Sequence, residues 1–576
     1  MNRDELPHTT RPVLQEAETQ VLTRVWQCFA GQPFDDAELS ALSVPPLSGA
    51  EVLAAVTGLV RSGELHSAPK AWGERWFYIP ENHLAALQEQ FYELPPEIYA
   101  AAEPALKQEA APGLPRDVLQ ALLFLHQEGG LELTARGTIH KRQLQKLNRL
   151  KTGLQPEHVY ALGVSDQHLD LYPPVAAVLL DLLLTLGLVR EQAGSLRLDS
   201  KAVRAWLALP EESMHALIFQ QVLNRYGAPS VPLQHFRRLL CCSKLSPHAW
   251  IKGDVLVASI AGFQAKPAAM ESVTAGAQAW MNFMAAAGWA DIGQCEQGRP
   301  WLSLRLPGHA LLSPPRGPID ESSLSIQPCL YVQPDGDILV LPDAPLSVHW
   351  DVARCAERLS EDRITTYRLT RESLQTAARQ GYSAGEMLNG LTRYSLSGIP
   401  ESVADAVQLW GQSDVAASPE SSADLEKLHC SKAAGQSAAP EQAGITKNLH
   451  TRGFALQKGL IHHDHLVERL EPDFNVPDAD ALFPGLKDIP RSWTRELRSY
   501  HRSTAEKLME TALGWRMALE LGAAESVVRF IPLQHEPAPW KMAGLLYEQG
   551  SAAPRRVVLG AEDWPRLRIL LPLSCE

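Results

Sequence analysis

Apolar positions follow a helical period and then an alternating one at three places along the chain. In residues 13–80, a first helix is predicted by Leu14, Val21, Leu22, Val25 and Phe29, and a third by Val52, Leu53, Val56, Leu59 and Val60. The segment GELHSAPKAWGERWFYIP (63–80) then predicts strand, turn and strand. The same order of helix and hairpin returns within residues 173–209 and 271–306. We interpret these as three copies of one pattern without sequence identity.

A helix followed by a β-hairpin is typical of winged helix-turn-helix domains. We therefore predict winged-helix-like units at 1–91 and 116–209, and a third helical or winged unit at 210–315. When such a unit reads DNA, its third helix lies in the major groove and exposes basic or amide side chains. In the first unit this helix offers only Glu51, Thr57 and Arg61. DNA contact and packing against protein therefore both remain open for this unit.

Residues 325–411 carry the clearest local signals in the chain. The hairpin YVQPDGDILVLP has Asp335-Gly336 between two apolar runs, and such a pair supplies the positive φ values of a tight turn. After an edge-like strand, Thr370 is placed to cap one helix, and Ser383 with Glu386 forms a capping box for the next. Pro400 suits the start of a last helix. We predict a small central α/β domain.

This domain resembles a part of known helicases. The hairpin, the strand and helix TTYRLTRESLQTAARQG and the helix SGIPESVADAVQLW are similar to the N-terminal, damage-recognition-like domain of XPB-type DNA-repair and transcription helicases. Similar segments occur in bacterial helicase-associated proteins that lack a motor. The resemblance implies association with DNA machinery, and it implies no reaction because its motifs are structural.

The last third of the chain begins with a change in composition. Residues 412–450 are rich in Ala, Ser, Gln and Gly and have almost no large apolar side chain, which predicts a disordered linker. Residues 451–576 predict a long helix at about 491–521, followed by a small β-sheet or barrel made of VVRFIPL, KMAGLLYEQ, RRVVLG and LRILLPL. The fold class is therefore multi-domain α+β.

The net charge of −13 argues against nucleic-acid binding unless basic residues cluster locally. One cluster, with no acid between its ends, comprises Arg136, Lys141, Arg142, Lys146, Arg149 and Lys151. Its leucines are spaced to turn inward while the cations face outward, as a phosphate-binding helix requires. The alternative is an ordinary solvated face of the protein.

A second basic cluster is predicted on the C-terminal helix. Arg491, Arg495, Arg498 and Arg502 are spaced to form a stripe on one helical face. Such a stripe can bind phosphates, or it can pair with the carboxylates of a protein partner. Both interpretations remain open.

Catalytic motifs are not found in the sequence. There is no G-x-x-x-x-G-K followed by Ser or Thr, so we expect no ATP-driven motor in this chain, no enzymatic activity and no cofactor. His462, His463, Asp464 and His465 are candidate metal ligands, but consecutive side chains point in different directions and rarely converge on one ion. We therefore assign no metal site.

Two functions remain. The first is a non-enzymatic DNA-binding or helicase-associated accessory protein in repair, replication or transcription, whose partners are DNA and a separate helicase or nuclease. The second is a protein-interaction scaffold without DNA contact. Eight cysteines without a C-x-x-C pair and an N-terminus without an apolar signal segment predict a reduced, cytoplasmic protein with no membrane contact, which lies at the nucleoid if it binds DNA.

Overall fold

The computed structural model describes most of the chain. The described residues are 14–70, 73–162, 172–226, 230–260, 270–312, 327–361, 364–411, 470, 472–473, 475, 477, 479–523, 526–548, 553–560 and 563–572. The predicted linker 412–450 and the candidate ligands His462, His463, Asp464 and His465 lie outside them.

The chain divides into two compact units. Unit 1 combines residues 1–93, 260–266 and 464–576, and unit 2 combines residues 94–259 and 267–463. Both consist of helices and small antiparallel sheets, so the predicted multi-domain α+β class is confirmed.

The N-terminal part of unit 1 has a helical layer and one small sheet. Its elements are α1 (Glu16–Phe29), β1 (Phe34–Asp35), α2 (Asp36–Ala41), α3 (Gly49–Ser62), β2 (His66–Pro69), β3 (Arg75–Tyr78) and α4 (Glu81–Phe91). The strand order is β1-β3-β2. Helices α2 and α3 each start with a capping box, at Asp35 and at Ser48. In both, the side chain of the first residue accepts a hydrogen bond from the backbone N–H of a Glu three residues later. Helix α1 packs on α3 and buries Trp26 against Phe91.

Unit 2 begins with a module of the same element order. It contains β4 (Ala105–Gln108), α5 (Leu114–Glu128), β5 (Leu131–Glu132), α6 (Lys141–Leu147), α7 (Pro156–Ala161), α8 (Pro174–Thr185), β6 (Val189–Gln192), β7 (Ser195–Leu198) and α9 (Ser200–Leu207). The strand order β5-β7-β6 repeats that of the first module. Ala193 and Gly194 form the turn between β6 and β7, and both have positive φ, as a two-residue hairpin loop requires.

A third module of this order follows in unit 2. It contains α10 (Glu211–Arg225), α11 (Val231–Leu239), β8 (Trp250–Lys252), α12 (Gly253–Ser259), α13 (Met270–Ala286), β9 (Ala290–Gln294), β10 (Pro300–Leu304) and α14 (Gly308–Leu312). Its strand order is β9-β10-β8, and β4 adds to the β9 edge. Thus in each of three modules a helix precedes a hairpin whose second strand lies in the middle of the three.

The central domain is a four-stranded sheet covered on one face by helices. Its elements are β11 (Leu330–Val332), β12 (Asp337–Val340), α15 (Leu346–Ala353), β13 (Glu357–Glu361), β14 (Thr365–Arg368), α16 (Arg371–Arg379), α17 (Ala384–Tyr394) and α18 (Glu401–Trp410). The predicted turn at Gly336 (φ 89°) and the caps at Thr370 and Ser383 are present. The strand expected at an edge is wrong, because β14 lies between β12 and β13 in the order β11-β12-β14-β13. Strand β13 forms the edge instead.

The C-terminal part of unit 1 differs from expectation in its helix. Its elements are α19 (Ala479–Leu482), α20 (Ser492–Arg495), α21 (Arg502–Gly514), β15 (Leu519–Ala523), β16 (Ser526–Pro537), β17 (Trp540–Tyr547), β18 (Arg555–Leu559) and β19 (Arg566–Ile569). The predicted continuous helix at 491–521 is wrong. Residues 496–501 are extended because two hydrogen bonds tie them to the segment 565–567. The Leu567 N–H donates to the Arg498 carbonyl at 3.0 Å, and Ser499 Oγ donates to the Pro565 carbonyl. The sheet is open, in the order β18-β17-β16-β15-β19, and therefore is not a barrel.

Candidate nucleic-acid interface

The six predicted basic residues of unit 2 lie on one exposed stretch around α6. The side chains are all exposed, and we call them the α6 surface: Arg136, Lys141, Arg142, Lys146, Arg149 and Lys151. Beneath them Leu144 and Leu147 are buried, as the helical spacing predicts. Helix α6 ends at Leu147, so Arg149 lies in the turn that follows the helix and Lys151 lies beyond that turn.

Side-chain amide bonds attach α6 to the adjacent sheet. Gln143 Oε1 accepts a hydrogen bond from the backbone N–H of Glu132 at 2.9 Å, and Gln143 Nε2 donates one to the Gly130 carbonyl at 3.2 Å. The Ile139 N–H donates to Tyr172 Oη at 3.3 Å in a buried position. These bonds fix the orientation of the cations relative to strand β5, so the α6 surface is preformed.

Most of the α6 surface has no internal counterion. Lys146 Nζ lies 2.7 Å from Glu128 Oε1, and this pair is partly exposed. Within the part of the chain that the structure describes, the other five cations form no ion pair. An exposed ion pair is worth at most about 1 kcal/mol, so Lys146 can exchange Glu128 for another anion at little cost.

Two further arginines, missed in the sequence analysis, lie on the β6–β7 hairpin. Arg190 and Arg197 are directly opposite each other across the two strands, and both are exposed. Arg190 Nη2 lies 3.4 Å from Asp199 Oδ2, whereas Arg197 donates from Nε to Ser195 Oγ at 3.1 Å. Like charges directly opposite each other destabilise a hairpin. The sequence contained the signal, since Arg190 and Arg197 each lie three positions from the two-residue turn Ala193-Gly194.

The hairpin arginines adjoin the α6 surface. A Cβ placed on Gly130 would lie 3.2 Å from Cγ of Arg197, and the Gly130 carbonyl is the group that Gln143 of α6 binds. The stem of Arg197 therefore crosses the backbone to which α6 is attached. Arg197 therefore lies on the strand next to β5, and Arg190 lies one strand farther away.

Of the three helices that precede the hairpins, only α3 exposes a cation, Arg61. In α8 every residue from 176 to 184 is buried, and α13 contains no Lys or Arg. In α3, Thr57 is buried and Glu51 pairs with Arg529, so of the three polar positions predicted there only Arg61 is exposed. The amides of α13, Gln278 and Asn282, are half-buried and bond to each other at 2.9 Å, so these helices present little of the basic or amide face that major-groove recognition uses.

The second basic cluster is exposed but is not a helical stripe. Arg491 and Arg495 lie at the two ends of α20, Arg498 in the extended segment and Arg502 at the start of α21. Arg498 lies 3.3 Å from Glu496 and Arg502 lies 3.0 Å from Glu506. Arg491 and Arg495 form no ion pair among the described residues. Only these two provide unpaired charge.

The central domain contacts helix α5 of the second module, and two histidines lie at this contact. Arg358 donates to Gln120 at 2.7 Å, and Gln380 donates to the His126 carbonyl at 3.3 Å. Burial lowers the pKa of His126 to about 4, assisted by the Arg354 guanidinium. Burial likewise lowers the pKa of His349 to about 4, assisted by Arg116 and Arg358. Both imidazoles are therefore neutral at pH 7.

The described part of the chain shows neither a metal-binding cluster nor a membrane-spanning helix. Within them, no three His, Cys, Asp or Glu side chains are grouped closely enough to hold a metal ion. Among the described helices, none is long and apolar enough to cross a membrane.

A protein family matches the central part of the chain. The family model of the helicase conserved C-terminal domain matches residues 330–413, which is the central domain with its four-stranded sheet. No curated protein matches the chain. The central domain is thus helicase-related, which confirms the coarser part of the predicted resemblance. The XPB-type assignment stays a prediction.

Proposed function

We propose that this chain is a non-enzymatic accessory protein that binds nucleic acid and works beside a separate helicase or nuclease. The helicase-related segment 330–413 supports an association with nucleic-acid machinery. The α6 surface supports direct contact, because five exposed cations without internal counterions stand on a chain whose net charge is −13. We further propose that the central domain is of the XPB type and that the three modules are winged-helix-like.

The α6 surface suits the phosphate backbone rather than the bases. Lysine and arginine bind phosphates with little regard to sequence, whereas base reading needs an element inside a groove. The apolar helices α3, α8 and α13 supply no such element. We therefore propose sequence-independent binding through α6 and the β6–β7 hairpin, with Arg491 and Arg495 as a secondary contact.

A charge-reversal variant tests the α6 surface. We expect the triple change Lys141→Glu, Arg142→Glu and Arg149→Glu to weaken binding to a forked DNA and to lower the salt slope of log affinity by roughly 3, because about one counterion is released per phosphate contact. These three residues leave the Lys146–Glu128 pair intact. Fluorescence anisotropy at several salt concentrations gives both quantities.

The control carries the same change in net charge elsewhere in unit 2. Lys107, Arg371 and Arg379 are exposed, and their reversal to Glu should leave the salt slope nearly unchanged. Equal losses in the two triple variants would show that only the overall charge matters and would refute the α6 surface as the binding site.

A second candidate function is a protein scaffold. Five large apolar side chains are exposed on the central domain: Tyr331, Leu359, Ile364, Leu396 and Leu409. Exposed apolar residues of this kind favour protein contact when they form a patch. Affinity purification with and without nuclease separates the two functions, since partners that persist after nuclease treatment support the scaffold and partners that are lost support binding through DNA.

A further inference from the structure

The sheet of the central domain has one face covered by helices α15 to α18 and one open face. Leu330 of β11, Ile338 of β12 and Tyr367 of β14 point to the covered face, where they are buried with side chains from all four helices. Successive side chains of a strand point to opposite faces of its sheet. The open face therefore receives the side chains of the neighbouring residues Tyr331, Leu339 and Thr366.

The strand register joins these side chains into a row that crosses the sheet. Tyr331 is directly opposite Leu339, and Leu339 is directly opposite Thr366. On β13, Ser360 pairs with Thr366, and a bulge immediately precedes this pair. Leu359 is the extra residue of the bulge, so it stands at the β13 end of the row.

A short segment after α17 lengthens the row at its other end. Ser395 pairs with Leu330 in a parallel bridge, and the Leu396 N–H donates to the Leu330 carbonyl at 2.9 Å, so Leu396 lies beside Tyr331. We call Leu396, Tyr331, Leu339, Thr366 and Leu359 the open-face row. Its members Tyr331, Leu396 and Leu359 are 43%, 45% and 49% exposed, so a partner can reach them. Neighbouring strands lie about 4.8 Å apart, which makes the row about 19 Å long.

The open-face row has an acidic border. The register places Asp337, Arg368 and Glu357 side by side along it on the same face. Arg368 donates two hydrogen bonds to Asp337, at 2.6 and 2.8 Å, so these two charges cancel. Glu357 and Asp335 are exposed, and neither forms an ion pair with another residue of the described chain. The border therefore has three carboxylates for one guanidinium.

We propose that the open-face row binds an amphipathic helix of a partner protein, with apolar side chains on the row and lysines or arginines along the acidic border. An apolar sheet face is covered most readily by a helix, and apolar anchors repeat along a helix at spacings of three, four and seven. A helix rises 1.5 Å per residue, so about 13 residues match the row. Phosphates are repelled by the border, which disfavours nucleic acid as the occupant.

This surface gives a partner class to the scaffold candidate, and it does not rest on nucleic-acid binding through the α6 surface. The two functions use different residues of unit 2, so they can be tested separately on the same chain.

Two labelled peptides of about 14 residues test the proposal on the full chain. Both have leucine at every third or fourth position, and they carry either lysine or glutamate beside the leucines. By fluorescence anisotropy we expect the lysine peptide to bind saturably and the glutamate peptide to bind at least about tenfold more weakly, because the border repels it. No binding of the lysine peptide up to about 1 mM would overturn the proposal. Equal affinity for both peptides would overturn the role of the border.

A double variant locates the site. Tyr331→Ser with Leu359→Ser removes two exposed side chains of the row and should weaken binding of the lysine peptide by at least about tenfold. The control Leu409→Ser removes a leucine of α18 that is 70% exposed and lies outside the row, and it should bind the peptide normally. Equal affinity in the double variant and the control would overturn the site.

Two further measurements on the double variant separate the other occupants. Its affinity for forked DNA should equal that of the unmodified chain, and a loss of DNA binding would assign the face to nucleic acid instead. Light scattering of the unmodified chain should show no dimer that the double variant lacks. Such a dimer would assign the face to a second copy of the chain and overturn the proposed helix.

Discussion

At the scale of single residues, Asp181 and Arg225 form a buried ion pair. Asp181 lies on α8, which is otherwise apolar, and it accepts two bonds from Arg225, at 2.7 and 3.2 Å, and one from Tyr226 Oη at 2.8 Å. Both members of the pair are almost completely inaccessible to solvent. In such a setting a charge is tolerated only with its partner present.

We therefore expect Asp181→Ala to destabilise the protein by about 3–5 kcal/mol, because it leaves the Arg225 guanidinium buried without its counterion. The double variant Asp181→Leu with Arg225→Met removes both charges and should recover most of this loss. Chemical denaturation followed by circular dichroism measures the difference. If the double variant is no more stable than Asp181→Ala, the loss does not come from the uncompensated charge.

At the scale of elements, the β6–β7 hairpin combines two arginines in an unfavourable arrangement. Arg190 and Arg197 are directly opposite, and only Arg190 has a carboxylate partner, Asp199. Opposed like charges cost a hairpin stability of order 0.2–1 kcal/mol. A bound phosphate between them removes this cost, so the arrangement is understandable as part of an anion-binding surface.

Replacing Arg197 is therefore expected to stabilise the fold and to weaken DNA binding. Arg197→Thr should raise the free energy of unfolding by a few tenths of a kcal/mol, because the repulsion disappears and threonine suits a strand. It should also weaken DNA binding and lower the salt slope by roughly 1. Thermal unfolding and anisotropy on the same variant measure both effects. Glu191→Thr on the same hairpin is the control and should not weaken binding; a loss of affinity there too would assign the effect to hairpin structure.

At the scale of the whole molecule, two histidines that are neutral at pH 7 lie where the central domain contacts α5. Burial lowers the pKa values of His126 and His349 to about 4 in the folded chain, well below the ordinary histidine value of about 6.5. Above pH 6.5 both are neutral whether the chain is folded or not, and stability is complete. As the pH falls from 6.5 to about 4, the unfolded chain takes up protons that the folded chain does not, so stability decreases.

The maximum slope is about 1.4 kcal/mol per pH unit for each histidine, and it is smaller for His126 because this residue is partly exposed. In His349→Gln we expect the pH dependence between 6.5 and 4 to decrease by up to one proton relative to the unmodified chain. Urea unfolding at a series of pH values gives this difference. An unchanged pH dependence in the variant would mean that His349 is protonated equally in both states.

Structural features that depend on neighbouring residues could be predicted from the sequence, and features that depend on residues distant in sequence could not. The hairpin at Gly336 and the caps at Thr370 and Ser383 were predicted, because each depends on residues within four positions of itself. The break between α20 and α21 was not predicted, because the extended segment at Arg498 is held by a hydrogen bond from Leu567 of β19, which is distant in sequence. The basic stretch 136–151 was recognised by composition, whereas the contribution of Arg197 needs the register of the hairpin.

Unit 1 combines segments from both ends of the sequence, so its parts are synthesised at different times. The Ser67 hydroxyl donates to the Asp473 carbonyl across 406 positions, and Arg529 pairs with Glu51 of α3. At ribosomal rates this separation corresponds to roughly 20–80 s, during which the first module is complete but its later partners do not yet exist. The polar groups that they will cover remain in water for that time. Unit 2, whose residues all emerge in between, has the opportunity to fold first.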